Sequence, residues 1–285
     1  MTVLPPTALP PTALPTAGWA TARGARHVAA DAAAVRTAPA AWADAARAAA
    51  ATSPFPNATT RTTSCPVAFA VAVADGIGDT EAAATAARFA AAEAVDAAWR
   101  VGVSEAMEEV RRALHEAELA THPIALPLPR PARDSLAQPP APDVGRAHTP
   151  KHSGDTTLAV AAGTAHQWSV AWVGDCRAYF LPDHGPATLL TTDHTIGRYL
   201  RDRGIEANPR MDLVVTTTAR KGGHGVVRGA GPGRLVLLTN GVHRTTDHQA
   251  VTRLALSAAD PAEAARALVA VAAEDNAAAV VVDVR

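Results

Sequence analysis

Two acidic turns carry the residues best suited to chemistry. VADGIGD (73–79) and EDNAAAVVV (274–282) each set an Asp beside an apolar run of β type, Asp75 in the first and Asp275 in the second. Hard divalent cations such as Mg²⁺ and Mn²⁺ take their ligands from carboxylates, backbone carbonyls and waters. Asp75, the carbonyl of Gly76 and Asp275 are therefore candidate metal ligands, and a hydrolytic metal site is the leading expectation. Asp-Gly and Asn-Gly pairs in this chain also have a plain structural explanation. In Asp75-Gly76, Gly tolerates positive φ and Asp bonds its own backbone, and Asn240-Gly241 is a favoured tight-turn pair.

Other reaction classes lack their defining residues. The chain has no GxxxxGK[ST] phosphate loop, no HExxH, no GxSxG and no CxxC, so nucleotide hydrolysis, zinc proteolysis, serine hydrolysis and dithiol redox chemistry have no anchor. The glycine-rich GGHGVVRGAGPG (222–233) lacks the strand-turn-helix setting of a dinucleotide loop and reads as a flexible segment beside the site. Cys65 and Cys176 lie too far apart in sequence to suggest a disulfide framework and are expected as reduced thiols.

The elements that must position the acids can be read from periodicity. PVAFAVAVAD (66–75) is an apolar strand ending at the first acidic turn, and TEAAATAARFAAAEAVDAAWR (80–100) is an Ala-rich helix with Thr80 as its N-cap. A second helix is expected over 104–120, opening at Ser104 with Met107 in the place of a capping-box Glu. TTLAVAAGT, HQWSVAWVG, CRAYFLP and ATLLTT are four short strand patterns at turn spacing and suggest an antiparallel meander. Residues 196–203 should be helical, RLVLLTNGV a buried strand, 243–256 and 261–273 helical, and AAAVVVDV a closing strand. Such alternation argues for a layered α/β architecture.

Composition and punctuation set the frame. The 285 residues include 48% hydrophobic ones but only 4% aromatic, so a large core must be built from Ala, Val and Leu. A net charge of -1 gives no basic field for nucleic acid or anionic lipid, and neither is expected as a partner. MTVLPPTALPPTALPTAG has no basic start, and Pro interrupts its apolar residues. It reads as an extended, disordered tail over 1–20 rather than a signal peptide or membrane span, with a cytoplasmic address. A second Pro-rich stretch, about 121–152, is too long for an ordinary connection. It is expected to be a mobile insertion within one domain covering 21–285.

Taken in order, VADGIGD, SGDTT, VGDCRAY, TTDHT, LLTNGV and EDNAAAVVV resemble the motifs of the type 2C metal-dependent Ser/Thr protein phosphatases, in particular their bacterial branch. The resemblance runs from about Arg26 to the C-terminus. It implies an α+β fold, a four-layer αββα sandwich of two antiparallel sheets flanked by helices. It also implies two Mn²⁺ or Mg²⁺ ions, with a third as an option, and a water activated between them that hydrolyses phosphoserine or phosphothreonine in a protein. The partners it implies are a phosphoprotein substrate and a Ser/Thr kinase, with a monomer as the default. By the same resemblance Asp75 bridges the ions as a catalytic and metal residue, Gly76 and Asp275 are ligands, and Arg26 of RHVAAD holds the substrate phosphate. Asp31 of that segment binds metal-linked waters.

This chain departs from the pattern at several points. Asn240 stands where the family has a metal-ligating Asp, which removes a negative charge and predicts weak metal binding. Ala29 replaces an Asn, and Ile77 stands where animal members carry a His proposed as general acid, which leaves the proton donor unassigned. Asp79 and Asp155 are extra carboxylates, expected on an additional metal or facing solvent. Asp175 and Arg177 are expected to pair with each other at a hairpin turn, and Asp193-His194 to support the region near the site, with His194 as a second-choice acid. These departures motivate the alternative of a weak or inactive phosphatase-like regulatory module.

Overall fold

Strand alternation accounts for the core of the computed structural model, which describes residues 14–39, 67–121, 154–164 and 166–285. In β3 (Phe69–Gly76) the residues Ala70, Ala72 and Ala74 face one apolar layer, while Phe69, Val71 and Val73 face another. Because side chains alternate and both faces are covered, the run shows no polar beat in sequence. The alanines lie under helix α1 (Glu81–Val101), itself lined with buried alanines. Small residues on both sides let helix and sheet approach closely, and Ala loses no side-chain entropy when buried. Thr80 opens α1 by accepting from the Ala83 amide at 3.1 Å, and Gly102, at φ 93°, closes it before α2 (Val103–Thr121).

Two five-stranded sheets, with every pairing antiparallel, build the middle of the molecule. One runs β2 (Asp31–Thr37), β3, β4 (Thr156–Gly163), β5 (Gln167–Val173), β8 (Gly225–Ala230). The other runs β1 (Thr16–Ala22), β10 (Ala277–Val284), β9 (Gly233–Leu238), β6 (Arg177–Pro182), β7 (Thr188–Leu189). Phe69, Val71, Val170, Leu235, Leu237, Val280 and Val282 fill the space between the sheets. Helices α1 and α2 cover the outer face of the first sheet. Helices α5 (His248–Ala255) and α6 (Pro261–Val269) cover that of the second. This is the expected αββα sandwich. Short helices α3 (Ile196–Arg201) and α4 (Asn240–His243) lie in the connections.

Four local expectations are corrected. Residues 16–20, read as part of a tail, belong to β1, paired in register with β10 from Thr16↔Asp283 to Ala22↔Ala277. The meander is broken. β4 and β5 pair, but the chain then crosses to the other sheet, where β6 lies between β9 and β7. The glycine-rich stretch contains a strand, β8, because Gly225 and Gly229 sit opposite Trp172 and Trp168, and a Cβ at either would lie 2.3 or 2.1 Å from the indole. Those glycines are room for tryptophans, not flexibility. The helix expected over 243–256 is two pieces, since Asp247 caps a fresh start by accepting from the Ala250 amide at 2.6 Å. Most of the Pro-rich tail, Cys65 and residues 122–152 of the insertion lie outside the described residues.

Candidate active site

Antiparallel pairing brings the ends of β3, β5 and β9 beside the starts of β2, β4, β6 and β10, so one end of the sandwich collects the chemically distinctive residues. Asp31 opens β2 and is the cross-strand partner of Asp75 near the end of β3. Asp175 lies in the turn where the chain leaves β5 for β6, Asn240 follows β9, and Asp275 and Asn276 precede β10. Two glycines set the closeness of these loops. A Cβ on Gly241 would meet the Asn276 carbonyl at 1.9 Å, and one on Gly24 (φ 58°) would meet the Asp275 carbonyl at 2.3 Å. The result is a cleft of about 170 Å³ lined by Arg26, Asp75, Asp175, Asn240, Arg244 and Asp275, with Gly76 and Ile77 on its wall.

Its floor is a set of crowded carboxylates. Asp31 is 8% exposed; one oxygen accepts from Thr239 Oγ1 at 2.6 Å, and the other, Oδ1, is buried without a partner. Burial pushes the Asp31 carboxyl up to about 7, against the pull of hydrogen bonds from Thr239 and from the neighbouring acid Asp75, with the charges of Asp275 and Asp175 adding to the rise. Asp75 is driven well above the usual carboxylate range by burial and by the charges of Asp31 and Asp175. Asp175 is 2% exposed and also raised by burial; Arg244 offsets part of this, and its Oδ1 has no partner. Negative charge held this close in a dry place favours either protons or cations.

Protein cations and donors already touch that cluster. Arg26 Nε donates to Asp275 Oδ1 at 2.8 Å, Arg244 Nη2 to Asp175 Oδ2 at 2.7 Å, and Asn240 Nδ2 to Asp75 Oδ2 at 2.5 Å. Among the described residues no group of three or more His, Cys, Asp or Glu is placed to hold a metal ion. The donor types nevertheless suit a hard cation: carboxylates of Asp31, Asp75 and Asp275, the carbonyl of Gly76, and three buried side-chain oxygens without a partner, on Asp31, Asp175 and Asn276. The amide of Asn240 offers its oxygen to the cleft once its two ends exchange.

The structure places Arg26, Asp75, Gly76, Asn240 and Asp275 on one cleft, with Asp31 beside Asp75 on the neighbouring strand, and several neighbours lie elsewhere than expected. Asp175 and Arg177 do not pair. Arg177 forks onto Asp193 at 2.9 and 2.7 Å, while Asp175 turns into the cleft. The reason is the sheet switch between them, which sends the two side chains to different neighbours. Asp79 neither faces solvent alone nor joins a carboxylate cluster. It accepts from the His27 and Val28 amides at 3.3 and 2.9 Å and so holds the loop that carries Arg26. Asp155 accepts from the Thr156 amide and from Thr218 Oγ1, a structural role. His194 bonds Thr217 Oγ1 at 2.6 Å and lies behind the cleft wall in support, its ring pushed toward neutrality by burial. Sequence reasoning missed Asp175 and Arg244 as cleft residues; the acidic VGD turn was a signal for the first.

No family model matches the chain, and no curated protein sequence matches it. Solved structures do. The Mycobacterium tuberculosis serine/threonine phosphatase PstP/Ppp is similar at TM-score 0.64 and 17% identity, over 96% of this chain and 100% of that one. The catalytic domain of PstP in complex with two manganese ions is similar at 0.61 and 18% over 95% and 98%. The S. agalactiae serine/threonine phosphatase is similar at 0.65 and 15% over 95% and 100%. At these identities the likeness speaks for the fold, which is that of the bacterial PPM/PP2C Ser/Thr phosphatases.

Proposed function

We propose that this cleft hydrolyses phosphoserine and phosphothreonine in proteins with the help of Mn²⁺ or Mg²⁺. The observation that supports the reading most directly is the pairing of Asp31 and Asp75 across neighbouring strands, both raised by burial and close enough to share a proton, with an Asp31 oxygen that no hydroxyl, amide or cationic side chain answers. Such a pair costs stability unless a cation answers it. Asp75, Asp31, Asp275 and the Gly76 carbonyl would hold two ions, with Asn240 contributing its amide oxygen. Ions bound there would supply hydroxide at neutral pH and offset charge on the transferring phosphoryl group.

The chain's own residues do the rest. Arg26 engages Asp275 through Nε alone, and its two terminal nitrogens make no hydrogen bond among the described residues, which leaves a fork for a phosphate monoester. Asp79 keeps that arginine at the rim by tying down the two residues that follow it. The cleft is rimmed by Ile77, Leu213 and Val215, which suits a side chain presented on a peptide. Asn240 in place of an acid lowers affinity for the ions, because site affinity follows ligand charge. The partners this reaction calls for are a phosphoprotein and the Ser/Thr kinase that makes it, in the cytoplasm. Among the described residues no helix is long and apolar enough to cross a membrane.

A second reading, a phosphatase-like regulatory or binding module, is favoured by the contacts that close the cleft on itself. Asn240 donates to Asp75, and Arg26 holds Asp275. Hydrolysis of para-nitrophenyl phosphate and of a phosphothreonine peptide across Mn²⁺ concentrations, for the natural protein, Asp75→Ala and Asn240→Asp, separates the two. The enzyme reading expects manganese-dependent turnover that falls at least ~100-fold in Asp75→Ala, and half-maximal activity at lower Mn²⁺ in Asn240→Asp. Equal background rates in all three proteins hand the cleft to the second reading.

A further inference from the structure

Arg244 is the cleft residue that the metal-dependent reading leaves without a task. It follows the single turn of α4, and its side chain, 31% exposed, reaches Asp175, whose side chain is 2% exposed. One guanidinium nitrogen, Nη2, donates to Asp175 Oδ2 at 2.7 Å; Asn240 Nδ2 lies 3.4 Å from the same oxygen. The second oxygen of Asp175 is buried and meets no donor. Asp175 also feels Asp193 and adds to the charge on Asp75. This corner of the cleft is therefore acidic, dry and half-satisfied, which is the setting in which a buried carboxylate needs a cation.

We propose that Arg244 is a resident cation that takes the Asp175 corner in place of a metal ion. A guanidinium keeps its proton at every pH the protein meets, so its charge there is permanent, and its planar fork suits a carboxylate. Leaving aside Asp79 at the rim, which accepts from the backbone of the Arg26 loop, the four carboxylates Asp31, Asp75, Asp175 and Asp275, fully ionised, less the two guanidiniums Arg26 and Arg244 leave a deficit of two charges. All of that deficit lies on the Asp31 and Asp75 side, since Asp175 and Asp275 are each answered by an arginine. Neutral Asn240 stands between the two halves and adds no charge to draw an ion across. A dication approaching Asp175 meets the repulsion of Arg244 and finds one carboxylate oxygen already engaged. The inference deepens the metal-dependent reading but concerns the corner that this reading leaves without an ion.

Calorimetric titration of Mn²⁺ into the full chain tests it, with the natural protein, Arg244→Gln, Arg244→Lys, Asp175→Asn and the double variant Arg244→Gln with Asp175→Asn. Arg244→Gln is expected to take up one more ion per chain, or to bind its weakest ion at least about fivefold tighter, because a ligand charge has been released. Arg244→Lys keeps the natural isotherm, and adding Asp175→Asn to Arg244→Gln abolishes the gain. Asp175→Asn removes a buried charge and so folds even if Arg244→Gln does not; it should leave the number of bound ions as in the natural protein. Loss of an ion in Asp175→Asn, or identical isotherms for the natural protein and Arg244→Gln, overturns the proposal. An Asp175-dependent ion in Arg244→Gln alone, with none in the natural protein, upholds it while removing the two-metal phosphatase reading.

Discussion

Two arginine–aspartate arrangements, one buried and one opening on a cleft, sit at different places in the same sandwich and have opposite characters. In the first, Arg234 on β9 forks onto Asp283 on β10 at 2.7 and 3.1 Å and spends its remaining donors on the carbonyls of Ala255, Ala258 and Ala259. Every strong donor has an acceptor, and the pair fastens the outer helices to the sheet. In the second, around the cleft, Asp31, Asp75 and Asp175 outnumber their donors, and oxygens of Asp31 and Asp175 are left bare. Residue types alone do not separate the two cases. Completeness of satisfaction does: a closed network serves the fold, and an open one awaits a ligand.

That contrast can be broken by substitution. Arg234→Ala should cost the most, about 3–5 kcal/mol in urea unfolding, since it leaves Asp283 with only the exposed Arg285 at 3.0 Å and strands three carbonyls. The opposite sign is expected at the cleft. Asp31→Asn should stabilise the protein without added metal at pH 8 by about 1–3 kcal/mol, read as a higher melting temperature, because a buried charge with an orphan oxygen is removed. A loss of stability there would mean that the cleft is as well satisfied as the Arg234 network. Asp96→Ala, which frees Arg36 from a 3.1 Å surface pair 46% and 65% exposed, sets the floor at under about 1 kcal/mol.

The same two-region contrast predicts a pH profile. The Asp31 carboxyl titrates at about 7 in the fold against an ordinary 3.8, so the folded form holds its proton more tightly than the unfolded one. Its contribution to stability therefore falls as pH rises from about 4 to about 7. His243 behaves in reverse. Burial lowers it from 6.5 to about 4, the unfolded form binds the proton first, and stability falls as pH drops through that window. The two effects oppose each other over the same span, and Asp75 and Asp175, also raised by burial, act in the sense of Asp31, so melting temperatures measured from pH 4 to 8 in chelator should climb more steeply with pH in Asp31→Asn than in the natural protein. An unchanged slope in that variant would assign the opposing titration to another group.

Much of this was legible in the chain because local rules and the fold agree. The strand, acidic turn and helix from residue 67 to 101 carry their own signals: an apolar run, a Thr cap and an alanine face. Three of the six motifs, VADGIGD, LLTNGV and EDNAAAVVV, gave the cleft Asp75, Gly76, Asn240 and Asp275, because each of the three lies at a strand end, where turn chemistry is compact. β1 and β2 were not legible, since TAGWATA and DAAAVRT have few β-branched residues and are strands only because a neighbour pairs with them. β8 was hidden by glycines whose purpose lies in tryptophans more than fifty residues earlier. Partner choice was the least visible of all. Arg177 selects Asp193 over the nearer Asp175, and Arg244 crosses to Asp175 from 69 residues away, both decided by where the sheets bring the chain.

One hydrogen bond at the floor of the cleft has a wider consequence. Thr239 Oγ1 donates to Asp31 at 2.6 Å and accepts from the Ala278 amide at 2.8 Å, so a single hydroxyl rivets the first strand of one sheet to the second sheet where the acids meet. The spacing of the carboxylates is thereby geared to the thickness of the hydrophobic filling between the sheets. Trimming a side chain such as Leu237 or Val71, far from any reacting atom, should retune the aperture as surely as altering an acid within it.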